Sequence, residues 1–200
     1  MTDPRFVGSF PRADAPLDPP LPEIAFVGRS NVGKSSLLNA LVGRRLARIS
    51  ATPGKTRALN AFWIPSPAPP VSRAYYLLDL PGYGYARASK ADRTAFGRLV
   101  RHAIGRPALA GVVWLLDIRR DPSEEDRAMQ DVFAAAATPV LAAMTKSDKV
   151  PRSQRQGREA ALAAALRLDG DQVIVTSART GEGILDLREA IGALLEAAPR

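Results

Sequence analysis

The chain has 200 residues, of which 46% are hydrophobic and 24% charged, so its composition is that of one globular domain with a substantial core. It contains no cysteine, which excludes a disulfide framework and thiolate catalysis. No apolar run approaches the roughly 20 residues that cross a bilayer, and no signal-peptide core is visible near the N-terminus. The sequence therefore predicts a cytoplasmic protein without a membrane partner.

The net charge of +8 is concentrated in two parts of the chain. Residues 29–57 contain seven basic and no acidic side chains, and residues 87–106 contain six basic side chains against one acidic side chain. The rest of the chain is net acidic. Because solubility alone does not require basic residues to cluster, this pattern favours a surface that binds a polyanion. The alternative is a solvated basic face without a partner.

The predicted elements follow a proline-rich start. Residues 1–22 contain six prolines and show no periodicity, which predicts an extended N-terminal arm, so the folded domain is predicted over residues 23–200. From residue 23 onward apolar strands alternate with helical patterns, which is typical of a largely parallel α/β sheet. Strands are predicted at 23–27, 60–64, 75–79, 111–116, 139–144 and 172–175, and helices near 34–43, 89–104, 123–136, 152–168 and 183–197. The expected fold has three layers, with about six mostly parallel strands and helices on both faces.

The segment Gly28–Ser35 has the sequence G-R-S-N-V-G-K-S and matches the phosphate-binding P-loop pattern G-x-x-x-x-G-K-[ST]. It lies between a predicted strand and a predicted helix, where a P-loop must lie. Its glycines allow successive backbone N–H groups to point at an anion, and the helix N-terminus adds its free N–H groups and dipole. Lys34 is predicted to reach the β- and γ-phosphates, and the Ser35 hydroxyl to ligate Mg²⁺.

A second motif, D-L-P-G at Asp79–Gly82, ends the predicted strand 75–79. An aspartate at this place can hold Mg²⁺ through water, and the Gly82 N–H can donate to the γ-phosphate. Taken alone, D-x-x-G also occurs in ordinary turns, so a bare turn is the alternative interpretation.

A third motif, T-K-S-D at Thr145–Asp148, follows the predicted strand 139–144. The Asp148 carboxylate can accept from both N1–H and the 2-amino group of guanine, and adenine would leave it unpaired. The Lys146 stem can lie along the purine, and Thr176–Ala178 can supply an N–H to guanine O6. The alternative is a solvated ion pair between Lys146 and Asp148.

These motifs occur in one order at the carboxyl ends of strands, which is where open α/β sheets bind ligands. This arrangement resembles the TRAFAC class of P-loop GTPases over residues 23 to about 197. More narrowly, G-R-S-N-V-G-K-S-S at 28–36, T-P-G-K-T-R at 52–57 and D-L-P-G-Y-G-Y-A at 79–86 are similar to the EngB (YihA/YsxC) family. The resemblance implies a P-loop NTPase G domain. It also implies a GTPase tied to large ribosomal subunit assembly and needed for normal cell division and septation.

The resemblance also assigns roles residue by residue. Thr56 matches the switch I threonine that ligates Mg²⁺ and contacts the γ-phosphate, and residues 79–86 match switch II. Catalytic roles are expected for Lys34, Thr56 and Gly82, and Mg²⁺ ligation for Ser35 and Thr56. The predicted nucleotide contacts are Gly28, Arg29, Ser30, Asn31, Val32, Gly33, Lys34, Ser35, Gly54, Lys55, Thr56, Arg57, Ala58, Asp79, Leu80, Pro81, Gly82, Thr145, Lys146, Ser147, Asp148, Thr176, Ser177 and Ala178.

The hydrolytic machinery departs from that of Ras-type proteins at Tyr83, which stands where those proteins carry the glutamine that orients the attacking water. A phenol does not readily replace that glutamine, so intrinsic hydrolysis is expected to be slow. Asn31 occupies the P-loop position that helps related GTPases hold K⁺, which suggests modest stimulation by K⁺; a loop-stabilising role is the alternative. The only histidine, His102, is expected at the surface or in packing and not in catalysis.

Three functions stay open at this stage. The first is a GTP-dependent switch whose basic surface binds ribosomal RNA of the large subunit or its precursor. The second is a GTPase that acts through a protein partner in septation without binding the ribosome directly. The third is a P-loop kinase, against which the T-K-S-D motif argues. No DNA partner is expected, and the absence of heptads or a long apolar stripe predicts a monomer.

Overall fold

The structure, a computed structural model, describes residues 3–47, 58–65, 73–84 and 90–198. Within these ranges it contains five α-helices and seven strands. The strands are β1 (Arg5–Phe10), β2 (Glu23–Gly28), β3 (Leu59–Ile64), β4 (Tyr75–Asp79), β5 (Leu109–Asp117), β6 (Val140–Thr145) and β7 (Val173–Val175). The helices are α1 (Lys34–Val42), α2 (Lys90–Ile104), α3 (Glu124–Ala135), α4 (Arg152–Ala165) and α5 (Ile184–Ala197). None of the helices in the described ranges has both the length and the apolar character needed to cross a bilayer.

All seven strands form one sheet in the order β1-β3-β4-β2-β5-β6-β7. Strands β4, β2, β5, β6 and β7 run parallel to one another. At one edge β3 pairs antiparallel with β4, and β1 pairs antiparallel with β3. The central strands are covered on both faces, which explains why β5 is an almost continuous apolar run. The predicted mostly parallel α/β sheet is confirmed.

Helices pack on both faces of this sheet. On one face, leucines and isoleucines of α1 and α5 pack against β2, β5 and β6. On the other face, α2 and α3 bury Val100, Ala103 and Phe133 around Trp114, which is fully buried. A smaller cluster under α4 joins Leu162 to Ile118. The three-layer prediction is therefore confirmed.

The strand count differs from the predicted number of about six because β1 lies inside the predicted proline-rich arm. Pro4 and Pro11 flank residues 5–10 but none lies within them, so every backbone N–H of that stretch is available for pairing. The strand pairs antiparallel with β3, and the Phe6 ring lies 5.5 Å from that of Phe62. Part of the arm is thus an edge strand of the sheet.

A buried ion pair ties the rest of the arm to the sheet. The Arg106 guanidinium donates to both carboxylate oxygens of Glu23, from Nε at 2.5 Å and from Nη2 at 2.6 Å. Its Nη1 also donates to the carbonyl oxygens of Ala13 and Ala15. The sequence pattern had assigned Arg106 to the basic surface, and this was wrong because the side chain is only 10% exposed.

Candidate functional site

The P-loop leads from β2 directly into α1. Gly33 has a φ of 108°, a left-handed conformation that side chains rarely adopt, and α1 begins at the next residue. The N-terminal N–H groups and the dipole of α1 therefore face the loop, an arrangement that favours an anion. Asn31 is exposed and also left-handed, with a φ of 63°. Asparagine tolerates this conformation better than most residues.

Lys34 and Asp79 bring the P-loop and the end of β4 together. The Lys34 ammonium donates to a carboxylate oxygen of Asp79, and the two side chains are 12% and 6% exposed. Ser35 follows Lys34 in the first turn of α1. Carboxylate and hydroxyl oxygens are the donors that Mg²⁺ prefers, so Asp79 and Ser35 fit this ion.

Gly82 lies directly against the P-loop. A Cβ at this position would come within 2.9 Å of both Cα and N of Ser30, so only glycine permits the approach. The Ser30 hydroxyl donates to the Gly82 carbonyl oxygen at 3.3 Å. The predicted γ-phosphate donor and the P-loop are therefore adjacent.

Thr145 connects the predicted base-binding loop to the P-loop. It is buried at the end of β6, and its hydroxyl donates to the Val32 carbonyl oxygen at 2.7 Å and lies 3.1 Å from that of Leu116. The threonine thus connects the end of β6 to the P-loop.

Asp117, which the motifs did not identify, holds Lys146 in place. The Lys146 ammonium donates to Asp117 Oδ2 at 2.9 Å and to the Asn31 carbonyl oxygen at 2.6 Å. Burial alone would raise the pKa of Asp117, but hydrogen bonds from Arg119 and Lys146 outweigh it and lower the pKa to about 2. The carboxylate is therefore charged at neutral pH and fixes the ammonium at the end of the Lys146 stem.

The signal for Asp117 was its position directly after the predicted strand 111–116, the strand end at which such sites are built. An aspartate after a strand belongs to many turns, and the Lys146 contact spans 29 positions. Only the folded chain identifies the pair.

Asp148 lies where the loops after β6 and β7 meet. The Ser177 hydroxyl donates to Asp148 Oδ1 at 2.9 Å. The second oxygen, Oδ2, is buried and accepts no hydrogen bond from the described residues; the nearest cations are Arg179 at 3.6 Å and Lys149 at 3.8 Å. A buried carboxylate oxygen without a donor is costly, so this geometry suits a ligand that brings N–H groups.

The two base loops are joined to each other beside Asp148. The Ser147 N–H donates to the Thr176 carbonyl oxygen at 3.2 Å, and its hydroxyl donates to Glu182 at 2.6 Å. Ser147, Thr176 and Ser177 are all fully buried. The two loops are thus hydrogen-bonded to each other beside the P-loop.

Part of the predicted site lies outside the described residues. This applies to Gly54, Lys55, Thr56 and Arg57 of switch I, and to residues 85 and 86 of switch II. Ala58 immediately precedes β3. The described motifs meet at one edge of the sheet, and together they offer an anion cradle, oxygen ligands for a cation and a carboxylate for a base.

Known proteins are similar in sequence to this chain over most of its length. A family model described as "50S ribosome-binding GTPase" matches residues 23–146. A probable GTP-binding protein EngB from Gemmatimonas aurantiaca is 48% identical over 88% of this chain and 83% of its own length. The probable GTP-binding protein EngB from Geobacter sulfurreducens is 42% identical over 98% of this chain and 91% of its own length.

This chain belongs to the EngB family of GTP-binding proteins. It therefore binds GTP and is a GTP-hydrolysing enzyme, and the P-loop kinase alternative is wrong.

Solved structures show the same fold. The crystal structure of a probable EngB protein has a TM-score of 0.68 and 24% identity, and the alignment covers 87% of this chain and 98% of that one. Era in complex with MgGDPNP and nucleotides 1506–1542 of 16S ribosomal RNA has a TM-score of 0.69 and 22% identity over 90% of this chain and 57% of its own. At these identities the similarity concerns the fold.

Proposed function

We propose that this EngB-family protein is a slow, Mg²⁺-dependent GTPase switch that acts in assembly of the large ribosomal subunit, and so supports cell division and septation. The observation that carries the proposal is the exposure of Arg98 and Arg101 on α2, the helix that follows switch II. The matching family model, whose description names 50S binding, supports the same partner. A cytoplasmic location belongs to this proposal.

In the proposed GTP complex, the P-loop N–H groups and Lys34 bind the phosphates, and Lys34 exchanges its Asp79 contact for them. Ser35 and Thr56 ligate Mg²⁺, with Asp79 acting through water. The ion neutralises charge on the phosphate oxygens when it is bound. The Gly82 N–H donates to the γ-phosphate, and Asp148 accepts from the guanine. Water attacks the γ-phosphoryl group in line, the bond from the γ-phosphorus to the β–γ bridging oxygen breaks, and GDP and phosphate leave.

The position of Tyr83 supports slow hydrolysis. Its side chain is 6% exposed, and its hydroxyl donates to Asp126 at 2.7 Å. Burial, and then the Asp126 charge, raise the pKa of Tyr83 well above its ordinary value. The phenol is therefore neutral and already engaged, so it does not orient a nucleophilic water as the Ras-type glutamine does.

K⁺ is proposed to stimulate turnover through Asn31 at the exposed turn of the P-loop. A monovalent cation beside the phosphates offsets charge that develops in the transition state. We expect a higher kcat in KCl than in NaCl at equal ionic strength, with unchanged GDP affinity. Identical rates in the two salts would contradict the K⁺ role and leave Asn31 as a loop-stabilising residue.

The ribosome-binding surface is proposed around α2 and the end of α1. Arg98 and Arg101 are three residues apart and so share one side of α2, and Arg45 is exposed after α1, where its neighbour Arg44 pairs with Asp3 at 3.1 Å. Arg155 and Arg158 of α4 do not belong to it, because they are paired with Glu182 and Asp121, respectively, at 2.9 Å.

Co-sedimentation with purified large ribosomal subunits tests this proposal. We expect binding with a non-hydrolysable GTP analogue, weaker binding with GDP, and a steep loss with salt because phosphate contacts dominate. Replacing Arg98 and Arg101 by alanine should reduce the slope of log K against log[salt] by about 2, or about one per arginine. The exposed Arg152 on α4, replaced by alanine, is the matched control and should leave the slope unchanged.

Two outcomes would contradict the ribosome proposal. Binding that does not respond to salt would remove the RNA contact. No binding in either nucleotide state at low salt would favour the second function, a GTPase that acts through a protein partner in septation.

A further inference from the structure

The carboxylate of Asp126 is a buried junction between separate parts of the chain. Asp126 is 3% exposed and belongs to the capping box of α3, in which its Oδ2 accepts from the backbone N–H and the hydroxyl of Ser123 at 2.8 and 2.9 Å. One oxygen would be enough for capping. The other oxygen, Oδ1, faces away from the capping box and accepts from Tyr83.

Tyr83 is held at both ends. Its hydroxyl donates to Asp126 Oδ1 at 2.7 Å and accepts from Trp114 Nε1 at 2.8 Å. The Arg29 guanidinium of the P-loop lies 3.8 Å from Asp126 Oδ2. The P-loop, switch II and α3 thus meet at one carboxylate, and β5 is connected to it through the Tyr83 hydroxyl.

The backbone of Tyr83 continues the parallel sheet beyond β4. The Ser30 N–H donates to the Tyr83 carbonyl oxygen at 2.8 Å, and the Tyr83 N–H donates to that of Gly28 at 3.2 Å. Gly82, the residue before Tyr83, lies so close to Ser30 that a Cβ would not fit, as described above. A displacement of Tyr83 therefore moves Gly82 relative to the P-loop.

We propose that Tyr83 and Asp126 are positioning residues for GTP hydrolysis, which hold the Gly82 N–H at the place where it meets the γ-phosphate. This inference rests on the proposed role of Gly82. The γ-phosphate is the part of GTP that GDP lacks, so the pair serves discrimination between the two nucleotides and the chemical step, and not general nucleotide affinity.

The Tyr83 hydroxyl is the donor in its contact with Asp126. Because burial and the Asp126 charge raise the pKa of Tyr83, the phenol keeps its proton and remains a donor to Asp126 throughout the pH range in which the protein is assayed. The contact between the Tyr83 and Phe96 rings, with centroids 5.9 Å apart, does not depend on the hydroxyl. Removing the hydroxyl alone should therefore leave the ring in place and loosen only its attachment.

Tyr83→Phe is the first test. We expect kcat for GTP and the affinity ratio of a non-hydrolysable GTP analogue over GDP each to fall about tenfold, because an ångström-scale misplacement costs that much or more. GDP affinity should stay within about twofold of wild type. Asp126→Asn should act in the same direction, and the double variant should be no worse than the more severe single variant, because both changes loosen one contact.

Two controls separate the possible results. Tyr75→Phe removes the hydroxyl of another buried tyrosine, at the other end of β4, and should leave kcat unchanged. Gly82→Ala, which places a methyl group against Ser30, should lower kcat strongly whether or not the tyrosine matters.

Wild-type kcat in Gly82→Ala would contradict the proposed role of Gly82 and this inference with it. A second result would overturn this inference and leave the role of Gly82 intact. In that result kcat falls in Gly82→Ala, but Tyr83→Phe keeps the wild-type kcat and the wild-type affinity ratio. A Tyr83→Phe protein that melts at a lower temperature but keeps both values would show that the network only stabilises the fold.

Discussion

Asp148→Asn is expected to lower GTP affinity by at least about 100-fold and to raise the affinity for xanthosine triphosphate. The loss corresponds to about 2.7 kcal/mol of binding free energy. Competition between a fluorescent guanine nucleotide and unlabelled GTP or xanthosine triphosphate measures both changes.

The geometry of Asp148 explains why the expected loss of GTP affinity is large. Ser177 already occupies Oδ1, while Oδ2 is buried and accepts no hydrogen bond from the described residues. Guanine can supply N1–H and the 2-amino group, and a charged acceptor makes these bonds strong. The asparagine amide would place a donor against one of those donors, whereas xanthine presents a carbonyl oxygen there.

Asp131→Asn is the matched control, since Asp131 is exposed on α3 and the charge change is the same. It should bind GTP as the wild type does. GTP affinity within about threefold of wild type in Asp148→Asn itself would contradict the assignment of Asp148 to the base, because discrimination by an unpaired buried group is far larger than that.

Arg106→Ala is expected to lower the free energy of unfolding by about 3–5 kcal/mol, the usual effect of removing one partner of a buried ion pair. The truncation leaves Glu23, whose side chain is 3% exposed, without its cation. It also removes the donor to Ala13 and Ala15, so the N-terminal arm keeps its β1–β3 pairing but loses this second attachment. Urea unfolding followed by Trp fluorescence measures the loss.

Arg98→Ala serves as the control, because Arg98 is exposed and lies in the same region of the chain as Arg106. The substitution should lower the free energy of unfolding by less than about 0.5 kcal/mol. Replacing Glu23 and Arg106 together by glutamine should cost less than the sum of the two single changes. The pair lies at the amino end of β2, opposite the P-loop, so GTP affinity should not change. A loss below about 1 kcal/mol in Arg106→Ala would show that the pair contributes little.

Where the structure describes them, the motifs lie together at one edge of the sheet, as their positions after predicted strands led us to expect. The P-loop, from Gly28 to Ser35, is contiguous, and its path follows from two glycines and a helix start, which are local properties. Apolar runs placed the parallel strands within one to two residues, because a strand that is covered on both faces must be apolar throughout.

The sequence by itself therefore determined the fold class and the family, and it predicted which residues bind the phosphates and the base. Only the tertiary structure decided which charges are structural and which are free. Glu23 and Arg106 are 83 positions apart, Lys146 and Asp117 are 29 apart, and Tyr83 and Asp126 are 43 apart. No local pattern specifies such pairs, because they depend on how strands and helices stack, and burial then makes each of them energetically important.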